Sequence, residues 1–104
     1  MWASVGTPAP ASRLLLEPAR PNPSGASASL RFDLPRAGHA RLVVVDVTGR
    51  RVRMLIDGPF TAGPHEAVWN GRADDARPAP AGLSWARLQS DGATSVRKLV
   101  RMHP

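Results

Sequence analysis

The chain has few or none of several residue types: its 104 residues include no cysteine, no tyrosine, two phenylalanines and three tryptophans. The lack of cysteine excludes a disulfide framework and a zinc site with thiolate ligands. No apolar run approaches the ~18 residues of a membrane span, so we expect no membrane-spanning segment. The opening sequence MWASVGTPAPAS has neither the basic region nor the continuous apolar stretch of a signal peptide, so none is predicted.

Lysine is nearly absent from a chain that is nevertheless basic, with one lysine and thirteen arginines against eight acids and a formal net charge of +6. A basic surface suggests a nucleic-acid partner, because cations neutralise phosphates. The arginines, however, alternate with apolar residues, as at Arg31, Arg41, Arg53 and Arg87, which is typical of the solvent-facing side of strands. Neither a helix-turn-helix nor an aromatic RNA-binding pattern accompanies them. We therefore expect no nucleic-acid partner unless the fold gathers the arginines on one surface.

The organisation along the chain is a short linker followed by punctuated strands. Residues 1–12 are rich in alanine, proline and serine, which predicts a flexible tether, and residues 13–104 form one folded domain. No helical apolar period is present, and eleven prolines interrupt the chain. Seven short strands are predicted, at Leu14–Glu17, Ser27–Leu34, Ala40–Val47, Arg50–Asp57, His65–Asn70, Leu83–Ser90 and Thr94–Met102. Strands of this number and spacing favour two antiparallel sheets packed face to face.

The stretch VVVDVTGRRVRML interrupts two apolar runs with an acid and a glycine. Asp46 and Gly49 fit the first and fourth positions of a type I turn, in which the carboxylate accepts backbone N–H groups and the glycine takes a positive φ. A turn role is therefore favoured over a catalytic or metal-binding role for Asp46. After the turn, Val52 and Leu55 are three residues apart, and both can face the core only if a β-bulge lies near Arg53-Met54.

The strand before this turn is apolar on both of its faces. Alternation places Ala40, Leu42 and Val44 towards the core and leaves Val43 and Val45 on the outer face. We expect this outer pair to be either ordinary exposed valines or a docking face for a neighbouring domain.

Residue types that serve catalysis or metal binding are present without the required spacing. No Gly-x-Ser-x-Gly elbow occurs, His39, His65 and His103 are scattered, and Asp74-Asp75 lacks the alternating acids of a calcium loop. We therefore predict no catalytic residue, no metal site and no cofactor, and hence no enzyme. Trp69 is predicted to be a core residue rather than a ligand-stacking aromatic, because a turn at Asn70-Gly71 follows it directly.

Six stretches in order, PNPSG, SLRFDLP, ARLVVVDVTGRRVRML, TAGPHEAVWNG, PAGLSWARL and RKLVRMHP, cover nearly the whole chain after the tether. This succession resembles the carboxy-terminal immunoglobulin-like modules of secreted bacterial proteins, namely type IX secretion sorting domains and the immunoglobulin-like domain of the flagellar hook-capping protein. The resemblance implies an immunoglobulin or fibronectin-III-like β-sandwich of about seven strands without an active site. It also implies a secreted or cell-surface location, and a partner that is either the secretion machinery or a neighbouring domain of a parent protein.

The sequence departs from the family pattern at several positions. Val45 stands where the family usually has tyrosine, Asn70 replaces the aspartate after Trp69, and Ser84 occupies another tyrosine position. The glycine that is common between the tryptophan turn and the next strand is missing around Ala76.

Lys98 is the only lysine, and it falls in the last strand, where the resembled family usually keeps a lysine. Together with Arg97 and Arg101 it forms the candidate recognition set; the alternative is a solvated lysine that protects a strand edge from aggregation. The leading functional hypothesis is a non-catalytic module that directs secretion or surface attachment of a larger bacterial protein. The alternative is a structural or assembly module of the kind found in hook-capping proteins.

Overall fold

The computed structural model describes residues 13–22 and 27–102, so the predicted tether 1–12 and His103 lie outside the described residues. It contains seven strands: β1 (Leu15–Leu16), β2 (Ala28–Leu34), β3 (Gly38–Asp46), β4 (Arg51–Phe60), β5 (Gly63–Trp69), β6 (Gly82–Ser90) and β7 (Ala93–Arg101). A three-stranded sheet has the order β1-β2-β5, and a four-stranded sheet has the order β4-β3-β6-β7. All pairs are antiparallel. The predicted all-β sandwich is confirmed. Within the described ranges there is no helix long and apolar enough to cross a membrane.

The core lies between the two sheets and follows the alternation of the strands. Leu30 and Phe32 of β2 face Leu42 and Val44 of β3, and each of these side chains is at most 2% exposed. Trp69, at the end of β5, is 1% exposed and belongs to the same cluster. Because a fully buried leucine or phenylalanine contributes about 1.5–3 kcal/mol, this shared layer is the main source of stability for both sheets.

The outer face of β3 is not exposed to solvent as one of the two sequence-based alternatives expects. Val43 and Val45 are only 3% and 7% exposed, so they are not ordinary exposed valines. Val45 lies opposite Trp85 of β6, and Val43 lies opposite Arg87, which place long side chains beside both valines on the same face. The two residues are therefore covered within the domain itself, because long neighbours lie along the sheet surface and shield short ones.

Strand β4 is longer and less regular than the sequence predicts. Its pairing with β3 shifts register twice, leaving Val52 and Leu55 as extra residues on either side of Arg53-Met54. The predicted β-bulge is thus present as two irregularities, and both extra residues pack against the core. The strand also continues through Gly58-Pro59 to Phe60. A proline is tolerated there because β4 is an edge strand, where a missing N–H breaks no ladder.

Candidate recognition surface

The turn after β3 holds the carboxylate of Asp46 at the end of the sandwich. Its Oδ1 accepts hydrogen bonds from the N–H of Thr48 at 2.9 Å, the hydroxyl of Thr48 at 2.6 Å and the N–H of Arg50 at 3.0 Å. Gly49 has φ +86°, and its N–H donates to the Asp46 carbonyl at 2.9 Å. The Thr48 hydroxyl, followed by the two backbone N–H groups, lowers the pKa of Asp46. The Oδ1 atom of the carboxylate thus holds the Asp46–Arg50 turn together.

Trp69 and the two residues after it form a second local structure. The Trp69 indole N–H donates to the Arg72 carbonyl at 2.9 Å, and the Asn70 side-chain oxygen accepts the Arg72 N–H at 3.0 Å. Gly71 has φ +79°. The indole is therefore buried with its one polar group satisfied, as large aromatic side chains require.

The loop between β5 and β6 is tied to β4 by Asp74, a residue for which the sequence suggested only a solvated loop or a weak calcium hypothesis. Its backbone N–H donates to the Val52 carbonyl at 2.9 Å, and its Oδ1 accepts the Met54 N–H at 3.0 Å. The other carboxylate oxygen lies 2.9 Å from the Arg51 Nε. The role of Asp74 depends on partners about twenty residues away in the chain, so no local motif could have shown it.

The histidines form no metal centre in the described part of the chain, where no group of three or more histidine or acidic side chains comes together. His39 Nε2 contacts Asp57 Oδ1 at 2.5 Å, and this bond, followed by Arg41 as a weaker contributor, lowers the pKa of Asp57. The Ser90 hydroxyl donates to the backbone carbonyl of His39 and not to its ring. His65 stacks on Phe32 and bonds the carbonyl of the preceding loop. Within residues 13–22 and 27–102, these histidine contacts are to Asp57, Thr61 and Phe32.

The structure separates the three candidate recognition residues of β7. Arg97 lies opposite the buried Ala86, and its Nε donates to the Leu16 carbonyl at 2.6 Å. Arg101 is 8% exposed, and its guanidinium donates to the Ala79 carbonyl. Both arginines therefore point between the sheets. Lys98 lies on the opposite side of the strand and is exposed.

Asn22, a residue to which the sequence interpretation assigned no role, binds the free edge of β7. Its side-chain amide donates to the Lys98 carbonyl at 3.2 Å, and its side-chain oxygen accepts the Val100 N–H at 2.8 Å. In a pair of parallel strands, a residue bonds the carbonyl of the residue before its partner and the N–H of the residue after it. The Asn22 side-chain amide reproduces this pattern with Leu99 as its partner. The asparagine of the PNPSG stretch thus joins the β1–β2 connection to the last strand.

The outer sides of β6 and β7 form the surface that we call the β6–β7 face. Facing pairs across the two strands are Leu83 with Val100, Trp85 with Lys98, Arg87 with Val96, and Gln89 with Thr94. Apolar and cationic side chains therefore alternate diagonally on this face. A depression of about 320 Å³ adjoins this face at Leu83 and is also lined by Val47 and Pro80.

Comparisons with known proteins support the fold. No family model and no curated protein matches the chain. Among solved structures, FlgD from P. aeruginosa superposes with a TM-score of 0.57 at 23% identity, covering 69% of this chain and 59% of that one. FlgD from Xanthomonas campestris, described for hook capping essential to flagellar assembly, gives 0.58 at 22% identity, covering 82% and 65%. Dimeric latent PorU from Porphyromonas gingivalis gives 0.64 at 17% identity, covering 98% and 10%.

These likenesses agree with the observed all-β sandwich of seven strands in two antiparallel sheets. At identities of 23% or less they show the fold alone. In each case the chain spans less than two thirds of the length of the structure that it matches.

Proposed function

We propose that the chain is a non-catalytic immunoglobulin-like module that directs the secretion or cell-surface attachment of a larger bacterial protein, in the manner of type IX sorting domains. The observation that carries the proposal is that 98% of the chain superposes on only 10% of a much longer protein, PorU. A fold of this size serves there as a small part of a large chain. The six ordered stretches that resemble secreted carboxy-terminal modules support the same function.

The geometry favours a surface that another protein recognises over a reaction centre. Acidic and histidine side chains of the described chain are engaged in turn and strand contacts, as at Asp46, Asp74 and His39. By contrast, the exposed side chain of Lys98 projects from the outer side of β7, where a partner protein can contact it. Because its sequence resembles modules of secreted bacterial proteins, we propose that it works at the cell surface or outside the cell.

The test uses the full 104-residue chain, fused to a fluorescent reporter that carries its own periplasmic export signal, in a bacterium with type IX machinery. We expect the reporter to reach the surface or the medium. Lys98→Ala should reduce this export, and Lys98→Arg, which keeps the charge, serves as the matched control. Thermal melts of both variants show that the module is still folded. Retention of the reporter in the periplasm with an intact, folded module would falsify the sorting proposal.

A structural or assembly module is the second candidate, and it is supported by the likeness to two FlgD structures, one of which is described for hook capping essential to flagellar assembly. Such a module would hold neighbouring domains in place without carrying an address. Periplasmic retention in the export test, together with loss of assembly of the parent protein when the module is removed, would support this candidate.

A further inference from the structure

The β6–β7 face concentrates exposed apolar side chains. Five large hydrophobic residues are exposed in the described part of the chain, and three belong to β6, β7 or the residue that follows β7. Leu83 is 40% exposed, Val96 48% and Met102 54%. Val43 and Val45 of the neighbouring strand β3 lie beside Arg87 and Trp85 on the same side of the sheet and are buried, so this face adjoins a packed apolar strip. Clustered apolar exposure of this kind marks interaction sites, whereas scattered exposure does not.

The same face carries two of the cations that have no acidic partner within the described ranges. Arg31, Arg36, Arg41, Arg51 and Arg77 each lie within 4 Å of an acid. In the described ranges, neither Arg87 nor Lys98 has such a partner. The Arg87 Nε is buried and makes no hydrogen bond within the described part of the chain. The Nε atoms of Arg53 and Arg101 are buried in the same way, so a ligand on this face would have to bond the terminal guanidinium nitrogens of Arg87.

We infer that the β6–β7 face is the docking surface of the module, and that its partner is an acidic protein segment in which carboxylates alternate with apolar side chains. The inference rests on the proposed function and names the surface and the partner chemistry for it. Arg87 and Lys98 are diagonal neighbours, roughly 7–8 Å apart by strand geometry, which matches carboxylates two residues apart on an extended segment. Apolar side chains between those carboxylates would contact Val96 and Trp85.

One observation favours binding of the partner to the β6–β7 face rather than to the edge of β7. A second observation favours a protein partner over a membrane. Asn22 already bonds the Lys98 carbonyl and the Val100 N–H at the edge of β7, so an added strand would have to displace it. Binding to anionic lipid typically requires clusters of about four to eight basic residues, and this face has two. Two cations that lie among apolar side chains instead complement a short protein segment that carries two carboxylates among apolar residues.

The test is an amide-shift titration of the ¹⁵N-labelled full chain with a nonapeptide that alternates glutamate and leucine. We expect the shifts to concentrate in 83–89 and 94–100, and the same peptide with lysine for glutamate to bind about tenfold more weakly or worse. A module carrying Arg87→Glu and Lys98→Glu should reverse this preference. The control pair Arg36→Glu and Arg77→Glu, which changes the net charge equally at exposed loop sites, should not.

Shifts elsewhere, equal binding of both peptides, or binding to phosphatidylglycerol vesicles without binding of the acidic peptide would each overturn the inference. The reporter assay separates it from the proposed function. If the intact module is exported and the Arg87→Glu, Lys98→Glu variant is exported equally well, the docking surface is wrong and the sorting function stands. If the intact module is retained while the peptide preference holds, the sorting function is wrong and the docking surface stands.

Discussion

At the residue scale, Gly49 occupies a backbone conformation that suits glycine, with φ +86° and open space around its Cα. Gly49→Ala should destabilise the fold by about 1 kcal/mol or more, because a Cβ disfavours this region. Gly38→Ala is the matched control, since Gly38 also has open space but no positive φ. Urea unfolding of both variants measures the difference. Equal free energies of unfolding for the two would contradict a strain-based role for the turn.

Ala76 is the converse case, an alanine with φ +68° at the place where the resembled family has a glycine. Hydrogen bonds on both sides hold this conformation, from the Ala76 N–H to the Ala73 carbonyl and from Arg72 to the Ala76 carbonyl. Ala76→Gly should stabilise the protein by up to about 1 kcal/mol, because the relief of strain exceeds the added entropy of the unfolded chain. Ala81→Gly, at an exposed loop position without positive φ, should destabilise it. Thermal melts that rank the two variants in the other order would disprove this prediction.

The carboxylate of Asp46 makes a pH-dependent contribution to stability. Its pKa is lowered in the folded state from the ordinary value of 3.8, mainly by the Thr48 hydroxyl, so folding favours the charged form. The contribution is therefore present above the unfolded-state pKa and is lost as the pH falls through the lower folded-state pKa. Asp46→Asn should melt below the parent protein at neutral pH, and the two melting temperatures should converge towards about pH 2. A gap that stays constant across this range would show that charge is not involved.

Residue roles were predictable from the sequence where the partners are close in the chain. Asp46 and Gly49 are three residues apart, and the turn that joins them needs only local rules. Asn22 and Asp74 act on residues far along the chain, and a side chain that completes a distant strand edge leaves no spacing to detect. The separation of Lys98 from Arg97 and Arg101 could be anticipated from alternation along β7, but what the inward arginines bind could not.

At the element scale, the link between Asn22 and β7 closes one side of the sandwich. The side-chain amide satisfies two main-chain groups that an edge strand would otherwise leave to water. Arg97 and Ser95 of the same strand bond the carbonyl and N–H of Leu16, so β1 and its following turn both bridge the two sheets. Strand β7 is therefore held from its inner side and its edge, while its outer side remains accessible.

Asn22→Ala should lower the free energy of unfolding by about 1–2 kcal/mol, because two hydrogen bonds are lost at a partly exposed site. Asn22→Asp should cost at least as much near neutral pH, since the carboxylate keeps the acceptor for Val100 but presents an anion to the Lys98 carbonyl. Urea unfolding gives the free energies, and amide exchange gives the local effect on β7. Unchanged stability and exchange in both variants would mean that the contact contributes nothing.

The elements themselves were predictable in number and order, because β-branched runs and turn residues mark each strand locally. The extension of β4 to Phe60 was missed because Gly58-Pro59 ends most strands and is tolerated only at an edge, which is a property of the sheet order. Whether Val43 and Val45 are covered could not be predicted either, because this also depends on the order of the strands in the sheet. It depends on Trp85 and Arg87 of a strand that lies about forty residues later in the chain.

At the scale of the whole molecule, the net charge of +6 is dispersed rather than gathered. Three arginine side chains lie on the inner side of the sandwich or under a loop. The guanidinium groups of Arg53, Arg97 and Arg101 donate there to backbone carbonyls. Five more lie beside acids, as described above. The cations that remain are on separate surfaces, with Arg13 before β1, Arg20 beside β2, Arg50 at the β3–β4 turn, Arg72 in the loop after β5, and Arg87 and Lys98 on the β6–β7 face.

This dispersal predicts weak, non-specific contact with nucleic acid. Affinity for a duplex depends on how many phosphates one surface can neutralise together, and non-specific binders reach a Kd of about 10⁻⁴–10⁻⁶ M at physiological salt. With at most two unpaired cations on the β6–β7 face, we expect no saturation of a labelled 20-base-pair duplex up to about 100 μM protein at 0.15 M salt, measured by fluorescence anisotropy. Saturable binding in the low micromolar range, weakened by Arg87→Glu and Lys98→Glu but not by Arg36→Glu and Arg77→Glu, would instead assign the same face to a phosphate backbone.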